Sequence, residues 1–190
     1  ILGLLWIALA AQAESGADLW LRYQALPEAT AQQYTQALKT ILIAGSDELQ
    51  QAAGNEVQKG FRGLTGQNLS AARRIDDGTL VIGTTADRVI ADLKLDGLDD
   101  LDEEGYVLRT VAVRGGKATV VAGRTSAGAL YGSFDLLRRM QSGEGIAALD
   151  VREEPAFQLR LLNHWDNLNG SVERGYAGHS IFWNREASFE

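Results

Sequence analysis

The amino-acid sequence predicts an α/β (α+β) fold, a mixed sheet sandwiched by helices, and three observations carry the prediction. Short runs rich in β-branched and aliphatic residues, TILIA at 40–44, LVIG at 80–83 and ATVVA at 118–122, read as buried strands. Between them, apolar residues recur every three to four positions, which places them on one face of a helix. Arg114-Gly115-Gly116-Lys117 separates two strand-like runs, and a Gly-Gly pair there marks a hairpin.

The first 13 residues, ILGLLWIALAAQA, are uncharged and apolar and close on Ala11-Gln12-Ala13. The run resembles the h-region and cleavage site of a signal peptide, so a secreted product, extracellular or periplasmic, cleaved after Ala13 is expected. It is too short to span a bilayer, and no stable membrane insertion is expected. Asp18–Tyr23 (DLWLRY) alternates apolar and polar residues like a half-buried strand. Pro27 suits the first turn of a helix running to about Leu38, where its missing N–H is not needed. After the strand at 40–44, Ser46 is placed to cap a helix whose apolar face is Leu49, Ala53, Val57, Phe61 and Leu64.

Leu80–Gly83 is the next strand, with a short helix near 86–93. Asp96–Glu104 (DGLDDLDEE) lacks the glycine and bidentate-glutamate spacing of an EF-hand and reads as a solvated turn. Strands 106–113 and 118–122 form the hairpin; the glycine spacing before Lys117 is wrong for a phosphate loop. A helix over Ser126–Gln141 carries Ala127, Leu130, Tyr131, Phe134, Leu137 and Met140 on one face. Arg138 and Arg139 complement its C-terminal dipole, Gly143 stops it, and Gly128 and Gly132 permit close packing. Ser142–Pro155 reads as a linker, and Phe157–Leu162 (FQLRLL) as a new strand. The expected organisation is a leader at 1–13, an α/β domain at 14–141, a linker at 142–155 and a second domain beginning within 156–190.

Composition narrows the function classes. At 45% hydrophobic residues the chain can bury a core, and a net charge of −7 without a long basic run excludes the electrostatic footprint of a nucleic-acid binder. Without cysteine there is no disulfide, thiolate metal site or cysteine nucleophile. His164 and His179 are the two histidines, too few for a histidine-held zinc, so no metal or cofactor is expected.

The chemistry gathers in Asn163–Trp183, NHWDNLNGSVERGYAGHSIFW. Four of its 21 residues are aromatic, against 14 of 190 in the chain, and they stand beside carboxylates, amides and an arginine. Rings cover the apolar faces of sugars while polar groups bind hydroxyls, so this mixture suits a sugar site. A strand at 157–162 would deliver His164, Trp165, Asp166 and Asn167 to its C-terminal end, the face that carries the active site in α/β barrels.

Trp165, Asp166, Asn167, Glu173 and Arg174 are the substrate-binding candidates, Arg174 being suited to the carboxylate of an acidic sugar. Each has a plainer use: Trp165 in a core, Asp166 and Asn167 capping a turn, Glu173 and Arg174 as an ion pair, and both histidines as hydrogen-bonded structural groups. Asp166 and Glu173 are the carboxylates available for glycoside hydrolysis, but seven residues of separation in a loop fix neither their distance nor a raised pKa. Asn68-Leu69-Ser70 and Asn169-Gly170-Ser171 match the glycosylation sequon, which matters in a eukaryotic secretory pathway.

The stretch LLNHWDNLNGSVERGYAG strongly resembles the signature at the start of the catalytic barrel in glycoside hydrolase family 67, the α-glucuronidases. DLWLRY at 18–23, LVIGT at 80–84, GYVLR at 105–109 and GALYGSFDLLRRMQ at 128–141 agree in order, so the similarity covers 18–183. The resemblance implies an N-terminal α/β domain packed on a (β/α)8 TIM barrel, with 156–190 as the first strand and loop of that barrel. It implies inverting, metal-free removal of glucuronic acid or its 4-O-methyl ether from xylo-oligosaccharides, hence glucuronoxylan fragments as substrate partners, and it is compatible with a homodimer formed through a C-terminal region.

Trp165 matches the tryptophan expected near the bound uronic acid; Asp166, Asn167, Glu173 and Arg174 match other signature positions. A barrel takes about 250 residues, and 40 follow Asp150. The sequence is therefore expected to be a piece of a longer reading frame, inactive alone, with the family's acid and base on later strands. Two alternatives stay open: a non-catalytic carbohydrate-binding or accessory module, and another glycosidase with a hexosaminidase-like N-terminal domain. The HWDN…ERGYAG signature argues against the latter.

Overall fold

The computed structural model describes residues 21–163, 165–172, 178–180 and 182–183. The chain divides into two compact units, Tyr23–Gln158 and a second made of Ile1–Arg22 with Leu159–Glu190. The leader expected at 1–13 lies outside the described residues.

In the Tyr23–Gln158 unit the elements follow as α1 (Glu28–Ala37), β1 (Thr40–Ile43), α2 (Glu48–Thr65), β2 (Ser70–Ala71), β3 (Thr79–Thr84), α3 (Arg88–Ala91), β4 (Tyr106–Val113), β5 (Gly116–Gly123), α4 (Ser126–Gln141) and β6 (Asp150–Glu153). They build one six-stranded sheet in the order β2-β1-β3-β5-β4-β6. β2, β1, β3 and β5 run parallel, and β4 is antiparallel to β5 and to β6. The mixed α/β architecture is the one expected.

The central strands read as unbroken apolar runs because both of their faces are covered. All six residues of β3 are buried. Val81 of β3 joins Val120 and Ala122 of β5 in a cluster with Leu42, Ile90 and Val107. Val121, on the opposite side of β5, lies under α4, where a Cβ on Gly132 would come 2.9 Å from its Cγ1. The β4–β5 hairpin pairs Val113 with Gly116 across a turn in which Gly115 takes a φ of 88°, a conformation natural for glycine. Leu98 and Leu101 of the acidic stretch join the same buried cluster, so DGLDDLDEE is a turn pinned by two leucines with Asp96, Asp99, Asp100, Asp102 and Glu103 exposed.

Several local expectations change. Leu21–Tyr23, the described part of DLWLRY, is not a strand. Tyr23 is buried at a φ of 43°, its hydroxyl donates to Glu56 at 2.8 Å, and it packs so close to α2 that a Cβ on Gly63 would meet its carbonyl oxygen at 2.7 Å. In α4 the buried residues are Gly128, Ala129, Gly132, Ser133, Leu136, Leu137 and Met140, so Leu130 and Phe134 are only partly covered and Tyr131 is exposed. Glycines let that helix face lie against the sheet, a packing that apolar periodicity does not register. Ser142–Pro155 holds β6, whose Asp150–Glu153 pairs with Tyr106–Arg109 of β4, rather than a strandless linker.

Asp47, not Ser46, caps α2. Its carboxylate accepts the Leu49 and Gln50 N–H groups at 3.1 Å, and Leu49, expected inside, is exposed while Gln50 is buried. Burial works to raise the Asp47 pKa, but the bonds from Gln50, Ser126 and Leu49 outweigh it and hold the carboxyl below its ordinary value. A carboxyl depressed in the folded state stabilises above its unfolded pKa, and that contribution is lost as pH falls through the folded one. Asp47→Ala is expected to cost about 1 kcal/mol at neutral pH. In urea titrations the gap from the unsubstituted protein should narrow near pH 3; a gap unchanged between pH 7 and pH 3 would contradict the charged cap.

Candidate functional site

The strand expected at Phe157–Leu162 does not form. The segment has no ladder partner among the described residues, and Phe157, Leu159, Leu161 and Leu162 are 74%, 75%, 82% and 71% exposed. A strand exists through the hydrogen bonds of its neighbours, so alternation alone does not make one.

Beyond it the chain folds into a small meander. Asp166 bridges Val172 and Ser171 bridges His179, both antiparallel. The Asn167 N–H donates to Ser171 O at 2.8 Å and the Gly170 N–H to Asn167 O at 2.9 Å, with Gly170 at a φ of 77°. The third segment returns alongside: Ser180 N–H donates to Gly170 O at 2.8 Å and Val172 N–H to Gly178 O at 3.3 Å. Side chains reinforce the turn. Asn167 Nδ2 donates to Ser171 O and Oγ at 3.2 and 3.1 Å, and Asn169 Oδ1 accepts from the Ser171 N–H and hydroxyl at 3.0 and 2.7 Å.

Three of the expected site residues fall together at the mouth of this turn. Trp165 is 68% exposed, which rules out the core reading of its indole within this unit. Asp166 is half-buried and accepts the Ser180 hydroxyl. Asn167 is exposed, and its amide holds the turn as well as lining it. His179 sits in the outer bridge as an exposed residue. His164, Glu173 and Arg174 lie outside the described residues.

Ser171, Asn169 and Ser180 knit the site, and residue-by-residue reading missed them. Small polar residues in a loop carry no periodicity, and Asn169-Gly170-Ser171 matches a glycan sequon, a pattern that does not reveal the turn its side chains build.

Two clefts elsewhere compete poorly for a sugar. One of ≈ 450 Å³ is lined by Thr85, Ile90, Ala91 and Lys94 to Asp100, the other of ≈ 410 Å³ by Asp102, Glu103, Glu104, Pro155 and Gln158. Among the described residues neither offers an aromatic face for stacking. Among the described residues no helix is long and apolar enough to cross a membrane.

The sequence as a whole matches a known family in two consecutive blocks, the glycosyl hydrolase family 67 N-terminus at residues 19–136 and the family 67 middle domain at 139–190. The chain belongs to glycoside hydrolase family 67. Family 67 relatives are similar along nearly all of it. A probable α-glucuronidase A of Aspergillus terreus is 33% identical over 183 residues, covering 94% of this chain and 21% of that protein. An α-glucuronidase of Hypocrea jecorina is 34% identical over 185 residues, covering 90% and 21%. The chain thus spans about a fifth of the length of these relatives. Among solved structures, a family 115 4-O-methyl-α-glucuronidase with specificity for decorated arabinogalactans overlaps 62% of this chain and 17% of its own, at 16% identity and a TM-score of 0.45.

Proposed function

We propose that this chain is the N-terminal part of an α-glucuronidase that hydrolyses, with inversion, the α-1,2 link between glucuronic acid or its 4-O-methyl ether and xylo-oligosaccharides. Membership of family 67 and the α-glucuronidase relatives support the reaction class. The observation that carries the reading to this region is the exposed Trp165 ring beside a half-buried Asp166 fixed in a hydrogen-bonded turn. A ring offers a stacking face, and a carboxylate accepts two hydroxyls.

In this reading 156–190 is the first strand and loop of a (β/α)8 barrel, and the exposed alternation of 157–162 waits for strands on either side. Trp165, Asp166, Asn167, Glu173 and Arg174 belong to substrate recognition, with Arg174 offering its guanidinium to the uronate carboxylate. Inversion needs an acid and a base about 6.5–9.5 Å apart around a water, a pair assigned to later barrel strands. Asp166 accepts a hydrogen bond from the Ser180 hydroxyl at Oδ2, and in this reading it serves as an acceptor for sugar hydroxyls.

The test is turnover of aldouronic acids by the full-length protein, followed by proton NMR. Release of the β-anomer of the uronic acid is expected first; no release, or the α-anomer first, would overturn the assignment. The 190-residue chain alone should release none, and sustained turnover by it would return Asp166 and Glu173 to catalysis. Expressed alone, the chain is also expected to self-associate through its exposed leucines. Leu159→Glu with Leu161→Glu should shift it toward monomer in sedimentation, and an unsubstituted chain that is already monomeric would contradict this. Secretion with cleavage after Ala13 is part of the proposal, and N-terminal sequencing of the exported product should begin at Glu14.

A further inference from the structure

Ser180 has no part in the substrate recognition proposed above, yet three segments of the site meet on it. Its N–H donates to Gly170 O at 2.8 Å, and its hydroxyl donates to Asp166 Oδ2. The same hydroxyl oxygen accepts the N–H groups of Phe182 and Trp183, each at 2.9 Å. A hydroxyl has one proton and two lone pairs. With both lone pairs engaged by peptide N–H groups, the proton has one direction left, toward Asp166. The two donors also polarise the O–H bond and strengthen what it gives. Asp166 is therefore held at Oδ2, and its Oδ1 makes no hydrogen bond among the described residues.

We infer that Ser180 is a positioning residue of this site, holding the Asp166 carboxylate for neighbouring hydroxyls of a bound sugar and tying that orientation to the backbone of Trp183. The inference rests on the sugar-site reading of 163–183. The ligand group is a neutral vicinal diol, not the sugar's own carboxylate, because two like charges at contact distance repel. A serine that accepts the N–H groups two and three residues on is commonly a turn cap and nothing more. A cap alone has no reason to act through Asp166, and that difference is measurable.

The experiment is a double-mutant cycle in the full-length protein, with an aldouronic acid as substrate and near-UV circular dichroism as the check on folding. Loss of binding that is equal in ground and transition states raises KM and leaves kcat, so Ser180→Ala should raise KM about 10-fold with kcat within about 3-fold. Ser180→Thr keeps the hydroxyl and should bring KM back to within about 3-fold of the unsubstituted protein. In an Asp166→Ala background, Ser180→Ala should change KM by less than about 2-fold, since its partner is gone.

Equal effects of Ser180→Ala in both backgrounds would overturn the inference, as would an active Ser180→Ala with unchanged KM. If Ser180→Ala does not fold, Ser180→Cys, with a weak donor of similar size, replaces it under the same expectations. Failure of the unsubstituted protein to turn over the substrate would instead overturn the functional reading, and this inference with it.

Discussion

Gly128→Ala is expected to destabilise the Tyr23–Gln158 unit by about 1–3 kcal/mol, the reverse of what helix propensity predicts. On an isolated helix the change would favour folding by about 1 kcal/mol, because alanine loses less backbone freedom. Here a Cβ on Gly128 would stand 2.2 Å from Gly105 O and 3.2 Å from Gly123 Cα. Both obstacles are backbone, and Gly123 is held in the β4–β5 ladder opposite Tyr106. Relief requires α4 to lift from the sheet, which would loosen Leu136, Leu137 and Met140, all buried. Gly145→Ala is the control, since nothing lies within 4 Å of its Cβ position; it should shift stability by less than about 0.5 kcal/mol. Urea unfolding of the monomeric Leu159→Glu/Leu161→Glu background reads both, at constant m-value. Equal midpoints for the two alanines would contradict the close-packing account.

Trp165→Ala is expected to lower kcat/KM on aldouronic acids about 100-fold in the full-length protein, close to 2.7 kcal/mol of transition-state stabilisation. The same change should move thermal stability little, because the indole is 68% exposed and its unit gains little from burying it. Trp165→Phe, which keeps a stacking face, should retain most of the activity. The opposite pattern, a large loss of stability with kcat/KM intact, would make Trp165 a packing residue and remove the observation on which the sugar site rests.

Much of the fold was legible because its central elements are locally self-consistent. The β3 run is apolar throughout, the Gly-Gly hairpin has its turn chemistry, and α4 spans the expected residues 126–141. What was missed lies at edges and contacts. β2 is two exposed residues, and β6 is Asp-Val-Arg-Glu, polar because an edge strand needs only one partner. The buried face of α4 was misplaced because its key positions are glycines, which carry no apolar signal. Residues 157–162 alternate as a strand would, but no neighbouring strand among the described residues pairs with them. In the site, Trp165 and Asp166 stood out by type, whereas Ser180 emerges only when Asp166, Phe182 and Trp183 are seen around it.

The placement of β4 between β5 and β6 sets a timetable for synthesis. β4 zips onto β5 across a short turn, an event of about 1–10 μs. Its other edge has no partner until β6 is made, and 30 residues separate Gly123, the end of β5, from Glu153. At a ribosomal rate of about 5–20 residues per second, that edge stands open for about 1.5–6 s. Throughout that interval the nascent sheet presents a bare row of amide and carbonyl groups to any neighbouring chain, and the charged Asp-Val-Arg-Glu strand is the piece whose arrival ends it.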